Sequence, residues 1–320
     1  MILILTEIAD GAIKKSSLEA IYYGSKIAEM METTASALAI GNTDSAELSK
    51  AGNFGATKVF HANDSKLLNL NSMAYASVLA ETVKNTGAKV IVAAKSSFND
   101  AVIARTAGAL RAAVVGNVTE LPNLSKGFQV KVSIFTGKAF ADVNVNADIK
   151  ILAIKKNVVV PVESNNVALV ENISPTLASN LFAEKVTETI KATGMISLPE
   201  ADLVVSGGRG MKGPEYWQPL LDLADALGAA TACSKPVSDL DWRPHHEHVG
   251  QTGVKVSPNL YIACGISGAI QHLAGVNSSK VLVVINKDPE APFFKAADYG
   301  IVGDVFEVLP KLTKAILANK

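Results

Sequence analysis

Apolar and polar positions along this chain fall into a rhythm that is set twice and interrupted once. In the first half, short apolar runs (MILILTE at the start, ALAIG from Ala37, KVFHA from Lys58, KVIVAAK from Lys89) are separated by segments such as MAYASVLAETVKNTG and DAVIARTAGALRAA. The runs have the length and composition of strands buried on both faces, and the segments between them have helical spacing. Together they predict a parallel α/β domain. Between Phe128 and Val162 the rhythm breaks. KVSIFTGKAF, ADVNVNADIKILAIK and NVVVPV predict short strands with turns and no helix, an antiparallel addition to that sheet. From about Asn172 to Pro199 the chain is more polar, carries Pro175 and shows no strong strand. A linker is expected there, dividing the chain into domains 1–190 and 191–320.

The α/β rhythm then restarts: ADLVVSGGRG, the helix EYWQPLLDLADALG, the strands AATACSK, LYIACGIS, KVLVVINKD and YGIVGD, and a terminal helix around VFEVLPKLTKAIL. Five strands with intervening helices predict a small doubly wound, Rossmann-like sheet, whose ligands bind outside the carboxyl ends of the strands. Those ends carry Gly207 to Gly210 with Arg209, Ser234 and Lys235, Gly265 to Gly268, Asn286 to Asp288, and Gly303 with Asp304. Such edges form a composite crevice suited to a large, polyhydroxylated, phosphate-bearing ligand.

Within LYIACGISGAIQHLAGV a strand turns into a helix through small residues. The spacing predicts Ser267 as N-cap and Gly275 as C-terminal stop. The amides beside Gly268 would then face either an anion or only the serine that caps its own helix, and Gln271 and His272 would face the same crevice. SGGRG lacks the Lys-Ser/Thr of a phosphate-binding loop, and GISGAIQH lacks GxGxxG spacing, so neither nucleotide fingerprint is present. Arg209 reads as a phosphate ligand or as a surface loop arginine. GISGA resembles a nucleophile elbow, but its second glycine falls one position early and the order of a triad fails; no catalytic residue is expected.

The 18-residue segment PVSDLDWRPHHEHVGQTG, from Pro236 to Gly253, is long for a loop between α/β elements, and Trp242 and the VGQTG turn suggest that it is ordered. Gln251 and Thr252 offer hydrogen bonds beside glycines that let backbone approach a flat ring. His245, His246 and His248 lack further ligands at metal spacing and read as part of a solvated loop, with no metal expected. Asn286 and Asp304 have the character wanted for ribose hydroxyls, and equally that of turn or helix caps.

Composition narrows the picture. Thirty basic residues balance thirty acidic ones, so neither a nucleic-acid footprint nor a polybasic membrane surface is evident. Cys233 and Cys264 lie in apolar runs without CxxC spacing and read as buried thiols of a reducing compartment. The N-terminus reads as a first core strand rather than a signal peptide, and no apolar run reaches transmembrane length, so a soluble, cytoplasmic protein without membrane insertion is expected.

GGRG, VGQTG, GISGAIQHLAG, INKDPEAPFF and ADYGIVGD, in this order and spacing, resemble the FAD-binding domain of the electron transfer flavoprotein α subunit. The match is close over about residues 200 to 318 and looser in the first domain. The resemblance implies a heterodimer with a β subunit against which the first domain packs. It would take electrons from flavin dehydrogenases, for example the acyl-CoA dehydrogenases of fatty acid β-oxidation, and pass them singly to a quinone oxidoreductase or other acceptor. The resemblance further implies that FAD is held by Arg209, Ser234 and Lys235, by Val249, Gly250, Gln251 and Thr252, and by Ser267, Gly268, Ala269, Ile270, Gln271 and His272. Asn286, Asp304 and Val305 would complete the set: Asn286 and Asp304 at the adenosine end, the Ser267 helix start at the pyrophosphate, Thr252 at the flavin N5 edge and His272 at the pyrimidine carbonyl. The family usually has arginine where this chain has Lys235, which keeps the charge but loses the planar fork. The other expectation for the crevice is a nicotinamide-nucleotide-dependent oxidoreductase.

Overall fold

The four apolar runs of the first half are the strands β1 (Ile2–Leu5), β2 (Ala35–Ile40), β3 (Lys58–Ala62) and β4 (Val90–Ala94) in a computed structural model. The structure describes residues 1–137, 139–184, 186–187 and 197–319. The chain divides into two units, Met1–Thr189 and Ile190–Lys320. The predicted domain boundary and residues 188–196 of the predicted linker lie outside the described residues.

The first unit is built on one nine-stranded sheet. Its further strands are β5 (Ala113–Val118), β6 (Gln129–Ile134), β7 (Ala139–Asn144), β8 (Lys150–Ile154) and β9 (Leu169–Asn172), in the order β9-β3-β2-β1-β4-β8-β5-β6-β7. Helix α1 (Lys15–Met30) covers one face through Ile21, Tyr23 and Ile27; α2 (Ser72–Thr86) and α3 (Ser97–Leu110) cover the other through residues such as Val78, Leu79 and Val102. Asn71 and Ser96 cap α2 and α3 through bonds to first-turn amides, which fixes where both begin.

The antiparallel addition is smaller than expected. Among the described residues only β6 and β7 form it, joined to β5 by an antiparallel bridge. The strand β8 instead enters the sheet between β4 and β5, parallel to both. Its ILAI run is fully buried, the mark of a strand covered on both faces, whereas ADVNVN alternates as an exposed hairpin strand does. NVVVPV is not a strand. The buried Glu19 carboxylate on α1 accepts the amides of Asn157, Val158 and Val159 at 3.0, 2.6 and 3.2 Å, so those groups have no need of a neighbouring strand. The strand β9, at the start of the expected linker, pairs in parallel with β3 on the sheet edge.

The second unit holds five parallel strands: β10 (Leu203–Gly207), β11 (Ala230–Cys233), β12 (Leu260–Cys264), β13 (Val281–Asn286) and β14 (Tyr299–Val302), in the order β11-β10-β12-β13-β14. Strand order reverses between β10 and β12, and their carboxyl ends therefore flank a crevice. Helices α4 (Gln218–Leu227), α5 (Lys235–Asp239), α6 (Ile270–Val276) and α7 (Val305–Ala318) follow the strands. The apolar layers on the two faces gather around Tyr261, Val284 and Phe293 on one side and Trp217, Leu220, Ile262 and Leu309 on the other. Among the described residues, no helix is long and apolar enough to cross a membrane.

Candidate functional site

The loops that leave the five strands are sewn to one another by backbone bonds. The Gly208 amide donates to Cys264 O at 2.9 Å, Gly210 to Gly265 O at 3.0 Å and Gly265 to Ile285 O at 2.8 Å. Ser234 N donates to Gly207 O, Val249 N to Cys233 O, and Gln251 N to Gln271 O at 2.7 Å. Asn286 Nδ2 reaches Ile266 O at 3.0 Å, and Gly303 N donates to Asn286 O. Thus the structure brings every motif singled out above to one sheet edge.

The glycines permit this stitching. A Cβ on Gly210 would stand 2.6 Å from Gly265 Cα, and one on Gly265, whose φ is +63°, 2.7 Å from Gly210 Cα. Both loops can therefore touch only as bare backbone. Gly275 serves the same end. It lies inside α6 with its Cα face against Gly250, where a Cβ would come within 2.6 Å, and it is not the C-terminal stop, since the helix ends at Val276 with Asn277 as its C-cap.

Ser267 is not the N-cap. Ala269 holds that position and makes no side-chain capping bond, because α6 starts two residues later than the spacing suggests. Gly268, at φ +80°, turns the chain between them. The amides of Ser267, Gly268 and Ala269 donate to no group among the described residues, and those of Ile270 and Gln271 are the open first-turn amides of α6. Five consecutive donors are thus left for a ligand, beside the exposed side chains of Ser267, Ala269, Ile270 and Gln271.

Arg209 and Lys235 are both exposed and are each the second residue after their strands, β10 and β11. Gln251 and Thr252 are exposed at the tip of the turn, whereas the Val249 side chain is fully buried and only its backbone can meet a ligand. Val305 likewise points into the core. Ser234 is buried at the start of α5 without capping it. Asn286 and Asp304 act as caps. Asn286 Oδ1 accepts from Asp288 N, and Asp304 Oδ1 accepts from Phe306 N at the start of α7. The other Asp304 oxygen pairs with Lys287 at 2.7 Å. Lys287, with the Phe306 amide, holds the Asp304 carboxyl below the usual carboxylate range.

The segment 236–253 is not a solvated loop throughout. It begins in α5, and Glu247 and His248 are buried. Arg243 clamps Glu247 with Nε at 2.8 Å and an Nη at 2.5 Å, and Thr231 Oγ1 donates to the same carboxylate at 3.1 Å. Among the described residues, no group of acids, histidines and cysteines is arranged to hold a metal ion. Cys233 and Cys264 are free and buried, and burial pushes both thiols up to about 12, which keeps them protonated.

His272 lies behind the crevice rather than in it. The ring is packed edge-on against Phe293, and Nε2 sits 2.9 Å from the Tyr261 hydroxyl. Burial, reinforced by the neighbouring His248, holds its pKa down to about 4 against the opposing pull of the Val249 carbonyl. The folded state therefore keeps the ring neutral while the unfolded chain takes up a proton near pH 6.5. Stability is present above that pH and lost as pH falls from 6.5 toward 4. Acidification from about pH 7 to about pH 5 should cost about 2 kcal/mol at this residue. Urea unfolding at the two pH values tests this: His272→Asn should lose less on acidification than the parent, and an equal loss would contradict it.

Tyr261 was not singled out by the sequence, and His248, buried here, was read only as part of a solvated loop. A tyrosine inside the aliphatic run of β12 was the available signal, since a buried phenol must find a polar partner.

Residues 2–178 match the family described as the electron transfer flavoprotein domain, and residues 197–277 match the electron transfer flavoprotein FAD-binding domain. The chain belongs to the electron transfer flavoprotein α-subunit family. It is 36% identical over 317 residues to electron transfer flavoprotein subunit alpha of Bacillus subtilis, covering 98% of this chain and 96% of that one. The subunit of the same name from Megasphaera elsdenii is 33% identical, over 100% of this chain and 97% of its own. The probable mitochondrial electron transfer flavoprotein subunit alpha of Caenorhabditis elegans is 37% identical over 262 residues, 82% of this chain and 78% of that one. In this family the cofactor is FAD, and the donor set of the second unit fits it. Consecutive open amides suit a pyrophosphate, the exposed cations Arg209 and Lys235 follow the two strands on one side of them, and the Gln251–Thr252 tip offers polar atoms to a ring edge.

Proposed function

We propose that this chain is the α subunit of a heterodimer with an electron transfer flavoprotein β subunit, and that it carries electrons singly from flavin dehydrogenases to a quinone-linked or other reductase. The observation that supports this most is the run of acceptor-free amides from Ser267 to Gln271 at the point where strand order reverses. FAD supplies the redox chemistry when bound, and the protein supplies position, charge and exclusion of water. Ser267 to Gln271 would grip the pyrophosphate with backbone donors, and Arg209 would add charge there. Asn286 and Asp304 would shape the edge through their capping bonds and meet the adenosine end with the acceptor sites that those bonds leave open. Gln251 and Thr252 would address the flavin edge.

Lys235 sits where a cation favours added negative charge on a bound ring over the neutral one. Lys235→Gln is expected to lower the first reduction potential of the complex by tens of millivolts, on the order expected for one exposed charge. Potentiometry of parent and variant checks this, and an unchanged potential removes the role. The functional reading itself is tested by co-expression with the β subunit, purification, and extraction of the chromophore. A yellow complex releasing FAD supports it; a colourless complex, or one releasing only a nicotinamide nucleotide, overturns it.

A further inference from the structure

Lys212 follows the GGRG loop with φ +69° and ψ −32°, and Gly213 N donates to Met211 O at 2.9 Å across it. These are the marks of a γ-turn of the rare, strained hand, centred on a residue with a side chain. Glycines stand at 210 and 213, yet neither takes a positive φ. A glycine at 212 would adopt the turn freely. Here the strain falls on lysine, and its reason lies in where the side chain goes.

The side chain crosses to α7. Its Nζ stands over the Phe306 ring, 4.7 Å from the centroid, and Tyr216, four residues further along the same loop, meets that ring edge-on at 6.0 Å and 72°. One loop thus grips Phe306 by face and by edge. The Phe306 amide is the one that donates to Asp304 Oδ1, at 2.9 Å, while Lys287 takes the other Asp304 oxygen. The loop leaves β10 and α7 follows β14, with β12 and β13 between those strands in the sheet. The contact therefore ties together two strand ends that share no ladder.

We infer that Lys212 is a positioning residue for the adenosine half of the dinucleotide: its ammonium holds Phe306, and with it the first turn of α7, against the GGRG loop, which sets Asp304 at a fixed span from Arg209. Arg209 lies three residues before Lys212, and Lys212 N donates to its carbonyl at 3.0 Å, so the same turn orders both ends of the span. An exposed cation–π contact is weak. It governs how often the first turn of α7 is in place, not whether the unit folds. The inference rests on the proposed function in one respect alone, that the adenosine half lies along Asn286 and Asp304.

The test uses the heterodimer carrying Lys212→Met, Lys212→Arg or Lys212→Gly, stripped of flavin and titrated with FAD and with FMN, which lacks the adenosine half. Lys212→Met should weaken FAD binding about threefold, the size of one exposed cation–π contact, and leave FMN binding unchanged. Lys212→Arg should restore FAD binding. Thermal unfolding of the flavin-free complexes needs no ligand: methionine and glycine both remove the contact, but only glycine also relieves the strain. Lys212→Met should therefore melt below both the parent and Lys212→Gly. Unchanged FAD affinity in Lys212→Met, equal weakening of FAD and FMN, or no rescue by arginine overturns the inference. Should FMN bind too weakly to measure, the arginine rescue and the melting order decide. A parent complex that takes up no FAD sinks the functional reading, and the melting order then judges the tie alone: Lys212→Met melting with the parent overturns it.

Discussion

Replacing Gly268 by alanine is expected to destabilise the second unit by about 4 kcal/mol and to strip FAD from the purified complex. Gly268 has a φ of +80°, a region that costs an L side chain free energy by itself. Its added Cβ would meet Phe293 at 2.4 Å from Cβ and 2.6 Å from Cα. Phe293 cannot retreat. It is fully buried, its ring packs on His272, and its amide donates to Ser267 O at 3.0 Å. Any relief must move the segment that presents the open amides. Thermal unfolding with flavin absorbance after desalting measures both effects; a variant that stays yellow and melts with the parent would show that this segment yields freely.

Glu247→Ala is expected to cost about 3 kcal/mol, because it strands a charge rather than merely removing a contact. The Glu247 side chain is 1% exposed and Arg243 21%, and the guanidinium also lies over Trp217 with 5.8 Å to the ring centroid. Without its carboxylate, Arg243 must swing to water and abandon that packing, while Thr231 loses its acceptor. Two residues on, Val249 N bonds Cys233 O at the start of the VGQTG turn, so retention of FAD should fall as well. Denaturant unfolding of the two proteins settles the size, and a loss below about 1 kcal/mol would place this pair with ordinary surface ion pairs.

Sequence pattern carried the second unit well because each of its strands is a short apolar run ended by a glycine or polar residue, and because the motifs are contiguous. All of those strand ends do meet at one edge. The first unit was read less completely for a physical reason: β8 is apolar without alternation, which marks a covered strand, yet it follows a hairpin, and only three-dimensional pairing shows that it re-enters the sheet interior. NVVVPV looked like a strand because its β-branched residues have that propensity, but a buried Glu19 satisfied its amides from 138 residues away or more. Ser267 was misplaced because serine before glycine is the usual cap signal, whereas a positive-φ turn at Gly268 delays the helix. His272 was placed at the crevice by helical spacing; its partner Tyr261 sits on the preceding strand, and spacing along one element says nothing of a neighbour.

The bare-backbone contact between Gly210 and Gly265 separates two kinds of heredity in this sequence. Those glycines are indispensable to the scaffold whether or not anything occupies it, so a descendant that had discarded its flavin would still display them. The exposed side chains of Lys235, Gln251 and Thr252 are under no such constraint. Substitution should therefore be tolerated at those exposed side chains far more readily than at the paired glycines.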